Sequence, residues 1–291
     1  MYLFVVLFLG VTTLVRPIQP FDLYNAENVR YADFPRRRAG PRLATEECVF
    51  VLATPHSGST ALMDALNQIP NYLIRGENWA AHYNLFNAYQ RMSSIPQSSG
   101  QSYIHWREHR QASFHTVKSL YEAQAYHRKL PFFHEFQIDR VLIATRAYYK
   151  VLFGHFGNGV VAGFKETRYV CGTAFGSNQC SEQFSAYLHF LRRTCIRTKV
   201  FLLSRTDYSV HANPDIFESL TGGQKLLAER DLERTHQLYD DYVKNYPEHA
   251  FRVHMEGMFD HKRNATLARN ILTFLQEDPS LPIQFTRMPP K

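Results

Sequence analysis

Four short stretches of this 291-residue chain carry side chains whose types and spacing suit work on an anionic group. The first is Thr54-Pro55-His56-Ser57-Gly58-Ser59-Thr60, a run of small and hydroxyl-bearing residues with one imidazole. Such a loop, leading into a helix, lets successive backbone N–H groups approach phosphate or sulfate closely. The second is Arg75-Gly76-Glu77-Asn78, a charged run directly after a short apolar segment, where Glu77 also suits the N-terminus of the helix that follows. The third is Gly163-Phe164-Lys165-Glu166-Thr167-Arg168-Tyr169, where an apolar run ends in alternating charges. The fourth is Val200-Phe201-Leu202-Leu203-Ser204-Arg205, apolar until its closing hydroxyl and guanidinium. A small-residue loop and charges gathered at the ends of apolar runs are the parts of a crevice for an anionic ligand.

The elements that must hold these residues follow from the apolar periodicity. Val49–Leu52 has the composition of a buried parallel strand, and Leu62, Met63, Leu66 and Ile69 mark one face of a helix after the loop. Tyr72–Ile74 reads as a second strand. Trp79–Met92 reads as a helix whose aromatics, Trp79, Tyr83, Phe86 and Tyr89, are spaced for core packing rather than for stacking a ligand. Ser93–Ser102 is a loop, Trp106–Phe136 is polar and aromatic with weak periodicity, and Val141–Phe153 reads as helical. A strand from Val160 ends in Lys165, Glu166 and Arg168, and charges at the carboxyl end of a parallel strand point at a ligand crevice. Helix Ser181–Arg193, strand Lys199–Arg205, helix Lys225–Tyr246, strand Phe251–Glu256 and helix Thr266–Gln276 complete the pattern, with a break at Asn213-Pro214. This alternation predicts one α/β domain with a mainly parallel central sheet and helices on both faces.

The whole chain sets bounds on what such a domain meets. A hydrophobic content of 45% against 20% charged residues is that of a globular protein with a sizeable core. The formal net charge of +7 and isoelectric point near 9.2 favour anionic ligands. No basic stripe with interleaved aromatics is present, which argues against nucleic acid. The apolar run 2–15, uncharged before Arg16, fits a signal-peptide core or a short signal anchor, and the following positive charges leave its orientation open. Residues 16–46, with four prolines and the Arg36-Arg37-Arg38 cluster, read as a linker. The domain is expected over 47–278, with an irregular, proline-rich tail over 279–291. Asn264-Ala265-Thr266 is a glycosylation acceptor, and four cysteines form an even set in which Cys171 and Cys180 bracket a loop that a disulfide could close. These features agree with a secretory route. No close Cys/Cys or Cys/His spacing indicates zinc, so no metal is expected.

The 54–60 loop lacks the lysine that a nucleotide-hydrolase loop places before its Ser/Thr. It resembles instead the 5′-phosphosulfate loop of sulfotransferases, commonly Pro-Lys/Arg-Ser-Gly-Thr-Thr: Pro55, Ser57, Gly58 and Thr60 match, Ser59 is conservative, and His56 replaces the basic residue. The Gly163–Tyr169 and Val200–Arg205 stretches are similar, in the same order, to that family's GFKE-type strand end and its 3′-phosphate-arginine strand. Met255-Glu256-Gly257-Met258 resembles its Tyr-Glu-Asp-Leu element. The resemblance spans about residues 47–278 and implies a P-loop-like fold. It also implies sulfuryl transfer from 3′-phosphoadenylyl sulfate (PAPS) to a hydroxyl or amine, with PAP released, no metal used, and a glycan as the favoured acceptor. It implies that Pro55, His56, Ser57, Gly58, Ser59 and Thr60 hold the 5′-phosphosulfate. Glu77 would be the base, Lys165 would neutralise the moving group, and Glu166 would be an alternative base or Lys165's partner. Arg205 would bind the 3′-phosphate. The family's serine eight positions after that arginine is Asn213 here, with Ser209 a nearer substitute. Two rival readings stand beside the sulfotransferase resemblance: a P-loop kinase or nucleotide hydrolase, which predicts the loop lysine that is absent, and, motivated by His56 and Asn213, a secreted glycan-binding protein that keeps the fold with impaired catalysis.

Overall fold

Runs of β-branched, leucine and phenylalanine side chains pair as parallel strands in the computed structural model, which describes residues 47–93, 142–145, 147–148, 159–206 and 221–287. The strands are β1 (Glu47–Ala53), β2 (Tyr72–Arg75), β3 (Val161–Glu166), β4 (Arg197–Ser204) and β5 (Ala250–His254). They form one sheet in the order β2-β3-β1-β4-β5, every pairing parallel. The strand leading into the hydroxyl-rich loop therefore lies at the centre. The helices are α1 (Ser59–Asn67), α2 (Ala81–Ser93), α3 (Cys180–Thr194), α4 (Gly222–Asn245), α5 (Met255–Phe259) and α6 (Asn264–Leu275).

Because side chains alternate along a strand, β1 feeds two cores. Cys48, Phe50 and Leu52 meet Phe86 and Tyr89 of α2, the aromatic and leucine face of α3, and Tyr239 and Tyr242 of α4. Val49, Val51 and Ala53 meet Leu62 and Leu66 of α1 and Ala268, Ile271, Leu272 and Leu275 of α6. The fold is thus the expected α/β arrangement with helices on both faces of a parallel sheet. Val49 faces Gly163 in register, and a side chain at Gly163 would run into the Val49 carbonyl, which explains a glycine inside β3.

Two disulfides brace the helix-α3 side. Cys48–Cys195 ties the start of β1 to the turn after α3, with Cα atoms 6.0 Å apart, and Cys171–Cys180 closes the loop ahead of α3 at 5.3 Å. Beyond α6, residues 276–287 form no helix or strand, yet Ile283 is buried and Gln284 exchanges hydrogen bonds with Gln68. All described residues belong to one compact unit, residues 40–291.

Two sequence expectations need correction. Strand Phe251–Glu256 stops at His254, opposite Ser204, because β4 ends there and offers no further partner; Met255–Phe259 turns into α5 instead. Trp79, grouped with the core aromatics, precedes α2 and is 80% exposed, whereas Phe86 and Tyr89 are buried as expected. The 2–15 run, the 16–46 linker, most of Ser93–Ser102, the Trp106–Phe136 stretch, and Ser209 and Asn213 lie outside the described residues. Among the described residues, no helix is long and apolar enough to cross a membrane.

Candidate functional site

Parallel strands share a carboxyl edge, and the segments leaving it converge on a cleft of about 770 Å³. The cleft is lined by Pro55, His56, Gly58, Ser59 and Thr60 after β1, Glu77 after β2, Lys165 and Thr167 of β3's end, and Arg205 after β4. Residues more than a hundred positions apart in the sequence are therefore brought together by topology alone.

The loop after β1 is built from the backbone. The Thr54 N–H donates to the Leu203 carbonyl at 2.9 Å, and the buried Ser57 hydroxyl donates to the Thr54 carbonyl at 2.6 Å. His56 and Gly58 take left-handed backbone, φ 55° and 75°. Gly58 begins α1 with no side-chain cap, so the first N–H groups of the helix keep their donor capacity for an anion. A Cβ on Gly58 would come within 3.0 Å of Met258 Cε and 3.3 Å of Met255 Cγ, since α5 packs across the loop. Ser57 does not line the cleft; its hydroxyl shapes the turn.

Opposite the loop lies an ion-pair cluster. The mostly buried Lys165 places Nζ 2.7 Å from Glu77 Oε1, and Arg168 Nη1 lies 2.9 Å from Glu77 Oε2. Burial pushes the Glu77 carboxyl up, but the Lys165 and Arg168 hydrogen bonds and charges outweigh it and hold the group below its ordinary value. Glu166 is fully buried and off the cleft. Its Oε2 accepts the N–H groups of Asn78 and Ala80, both at 3.0 Å. Its Oε1 accepts those of Thr167 and Arg168 and the Arg168 guanidinium, at 2.9, 3.2 and 2.8 Å. With both oxygens so engaged, Glu166 is placed to hold the turn beneath Glu77.

At the other end, Arg205 lines the main cleft and an adjoining cavity of about 290 Å³ with Met255, Phe259 and Arg287. Arg287 stacks its guanidinium on Phe259, 4.9 Å from the ring centre. Sequence reading passed over Met255, Phe259 and Arg287 as site residues: a lone arginine in a proline-rich tail has no local pattern, and only the return of that tail across α1 brings it here. Among the described residues, no cluster of His, Cys, Asp and Glu has a metal-holding arrangement.

No protein-family model matches this chain, and no curated protein sequence does. Among solved structures it is similar to the sulfotransferase domain from the Synechococcus PCC 7002 olefin synthase, at 16% identity over 83% of this chain and 78% of that one, with a TM-score of 0.45. A likeness at that level carries no functional argument, so what the cleft can do is read from its own residues.

Proposed function

We propose that the protein is a sulfotransferase that moves the sulfuryl group of PAPS to a hydroxyl or amine of an acceptor, with a glycan as the acceptor class. The observation that supports this best is the gathering of the uncapped loop–helix junction, Glu77, Lys165 and Arg205 around one cleft. The loop N–H groups, Ser59 and Thr60 take the 5′-phosphosulfate, and Arg205 takes the 3′-phosphate. The acceptor oxygen attacks sulfur, the sulfur–oxygen bond to the phosphate breaks, PAP leaves with that electron pair, and the acceptor's proton passes to Glu77.

The ion pairs fit these roles. Arg168 anchors one Glu77 oxygen while Lys165 occupies the other, the one that would receive the proton. An arriving phosphosulfate competes for the Lys165 ammonium, which stabilises charge on the sulfuryl oxygens and releases Glu77 Oε1. Two disulfides and the Asn264 acceptor support a secretory location, to which the 2–15 run would direct the chain or anchor it.

Isothermal titration with PAP and transfer from labelled PAPS to a glycan mixture test the reading. Lys165→Ala and Glu77→Gln are expected to bind PAP and to lose about 10²- to 10³-fold in transfer rate. Absence of PAP and PAPS binding at millimolar ligand would sink the proposal.

A further inference from the structure

Two residues beyond Glu77, Trp79 presents an indole that is 80% exposed. Its backbone and that of Ala80 are both left-handed, φ 57° and 56°, a conformation that side chains with a Cβ rarely adopt and almost never in succession. The turn is held from below by Glu166, whose Oε2 accepts the N–H groups on either side of Trp79, those of Asn78 and Ala80. Arg168 completes the mount. Its guanidinium lies on one face of the indole, 4.2 Å from the ring centre, while Nη1 bonds both Glu166 Oε1 and Glu77 Oε2. One cation seated on a buried carboxylate thus fixes the candidate base and the exposed ring relative to each other. Tryptophan is enriched among the side chains that carry binding energy at contact surfaces, where a pre-set ring supplies area at low entropic cost.

We infer that Trp79 is the platform on which a sugar ring of the acceptor stacks, holding a hydroxyl of that ring or its neighbour against Glu77; this rests on the sulfotransferase reading and names the residue that selects the acceptor. The surroundings favour a sugar over a phenol. An aromatic acceptor gains most from an enclosed apolar slot, whereas here one ring face is open and its neighbours are the charged Arg168 and Glu77. A pyranose matches both features: one face of C–H groups stacks on the indole, and the rim of hydroxyls meets the carboxylate and guanidinium. Trp79 does not line the donor cleft, so its role separates from donor binding.

The test uses the full-length protein, fluorescently labelled and saturated with PAP, on a printed glycan array, beside Trp79→Ala and Trp79→Phe. Wild type is expected to retain a definite set of glycans. Trp79→Ala should lose about tenfold or more of that binding, and Trp79→Phe should keep part of it. With a retained glycan as acceptor, the alanine change should raise KM far more than it lowers kcat. The PAP-induced rise in melting temperature should be the same in all three proteins. Failure of wild type to bind any glycan, or equal binding of the same glycans by Trp79→Ala, overturns the platform. Failure of PAP to stabilise any of the three proteins instead overturns the donor reading, and the array still decides the platform.

Discussion

The two walls of the cleft reach unusual backbone geometry by opposite means. The loop wall, residues 54–60, has left-handed His56 and Gly58 between a central strand and a helix, and its contacts end on main-chain carbonyls, those of Leu203 and Thr54. The turn wall, residues 76–80, has two successive left-handed residues, neither of them glycine. It owes them to a carboxylate 86 and 88 residues away in sequence, which accepts the Ala80 and Asn78 N–H groups. A wall made of main chain is indifferent to many side chains, and that is how His56 can stand where a lysine or arginine was expected. A wall made by one buried side chain is not. The loop wall carries a histidine exposed at the cleft, His56, and a second, His82 of α2, is buried behind the turn wall.

The largest effect should come from removing the buried carboxylate. Glu166→Ala strands the Asn78, Ala80, Thr167 and Arg168 N–H groups and leaves the Arg168 guanidinium without its fully buried partner. Breaking a buried ion pair with this many hydrogen bonds costs about 3–5 kcal/mol. Urea unfolding should show that loss, and Trp79 emission should move as the turn relaxes. A loss under about 1 kcal/mol would mean that the turn stands without Glu166, and the contrast between the walls would fail.

The buried histidine gives an effect of intermediate size. His82 packs among Phe164, Tyr187 and Phe190, with Nδ1 2.9 Å from the Tyr187 hydroxyl. Burial pushes its imidazole down from 6.5 to about 3. Below pH 6.5 the unfolded chain takes up a proton that the folded chain refuses. This contribution to stability is therefore complete above pH 6.5 and is lost as the pH falls toward 3, by about 1.4 kcal/mol per pH unit. Glu77, whose carboxyl is held below 4.5, adds its own loss only in stronger acid. Comparing urea midpoints of wild type and His82→Phe at pH 7 and 5 should show a flatter pH dependence in the variant. Equal slopes would indicate that the core behind the turn wall does not lose stability in acid through His82.

How much of this was legible in the sequence follows the same division. The five strands, the loop and the helices after it were readable because each rests on local periodicity: Val49–Leu52 alternates into two cores, and Leu62, Leu66 and Ile69 face one of them. The convergence of His56, Lys165 and Arg205 was readable because parallel strands share one carboxyl edge, whereas Glu77 was singled out by resemblance alone. What depended on contacts distant in sequence was not. Trp79 fits the helical spacing of Tyr83 and Phe86, and only Glu166 beneath its backbone takes it out of that helix. Glu166 stood as an alternative base or as the partner of Lys165, since adjacent strand residues point to opposite faces and the sequence does not say which face opens to the cleft. Arg287 had no pattern at all.

The smallest effect should be found at the other histidine, where the wall is made of backbone. His56 lines the cleft with an exposed side chain in left-handed backbone. A lysine there reaches further into the cleft and offers a compact ammonium in place of the imidazole. His56→Lys should tighten PAP binding by about three- to tenfold, the worth of one modest charge-assisted contact. Melting temperature should barely change, because the loop geometry comes from Gly58, the Thr54 backbone and the Ser57 hydroxyl rather than from this side chain. Titration calorimetry decides it. No gain in affinity would mean that the side chain at this position makes no contact with the donor. A marked loss of stability would mean that the cradle, like the opposite wall, is held in shape by one side chain.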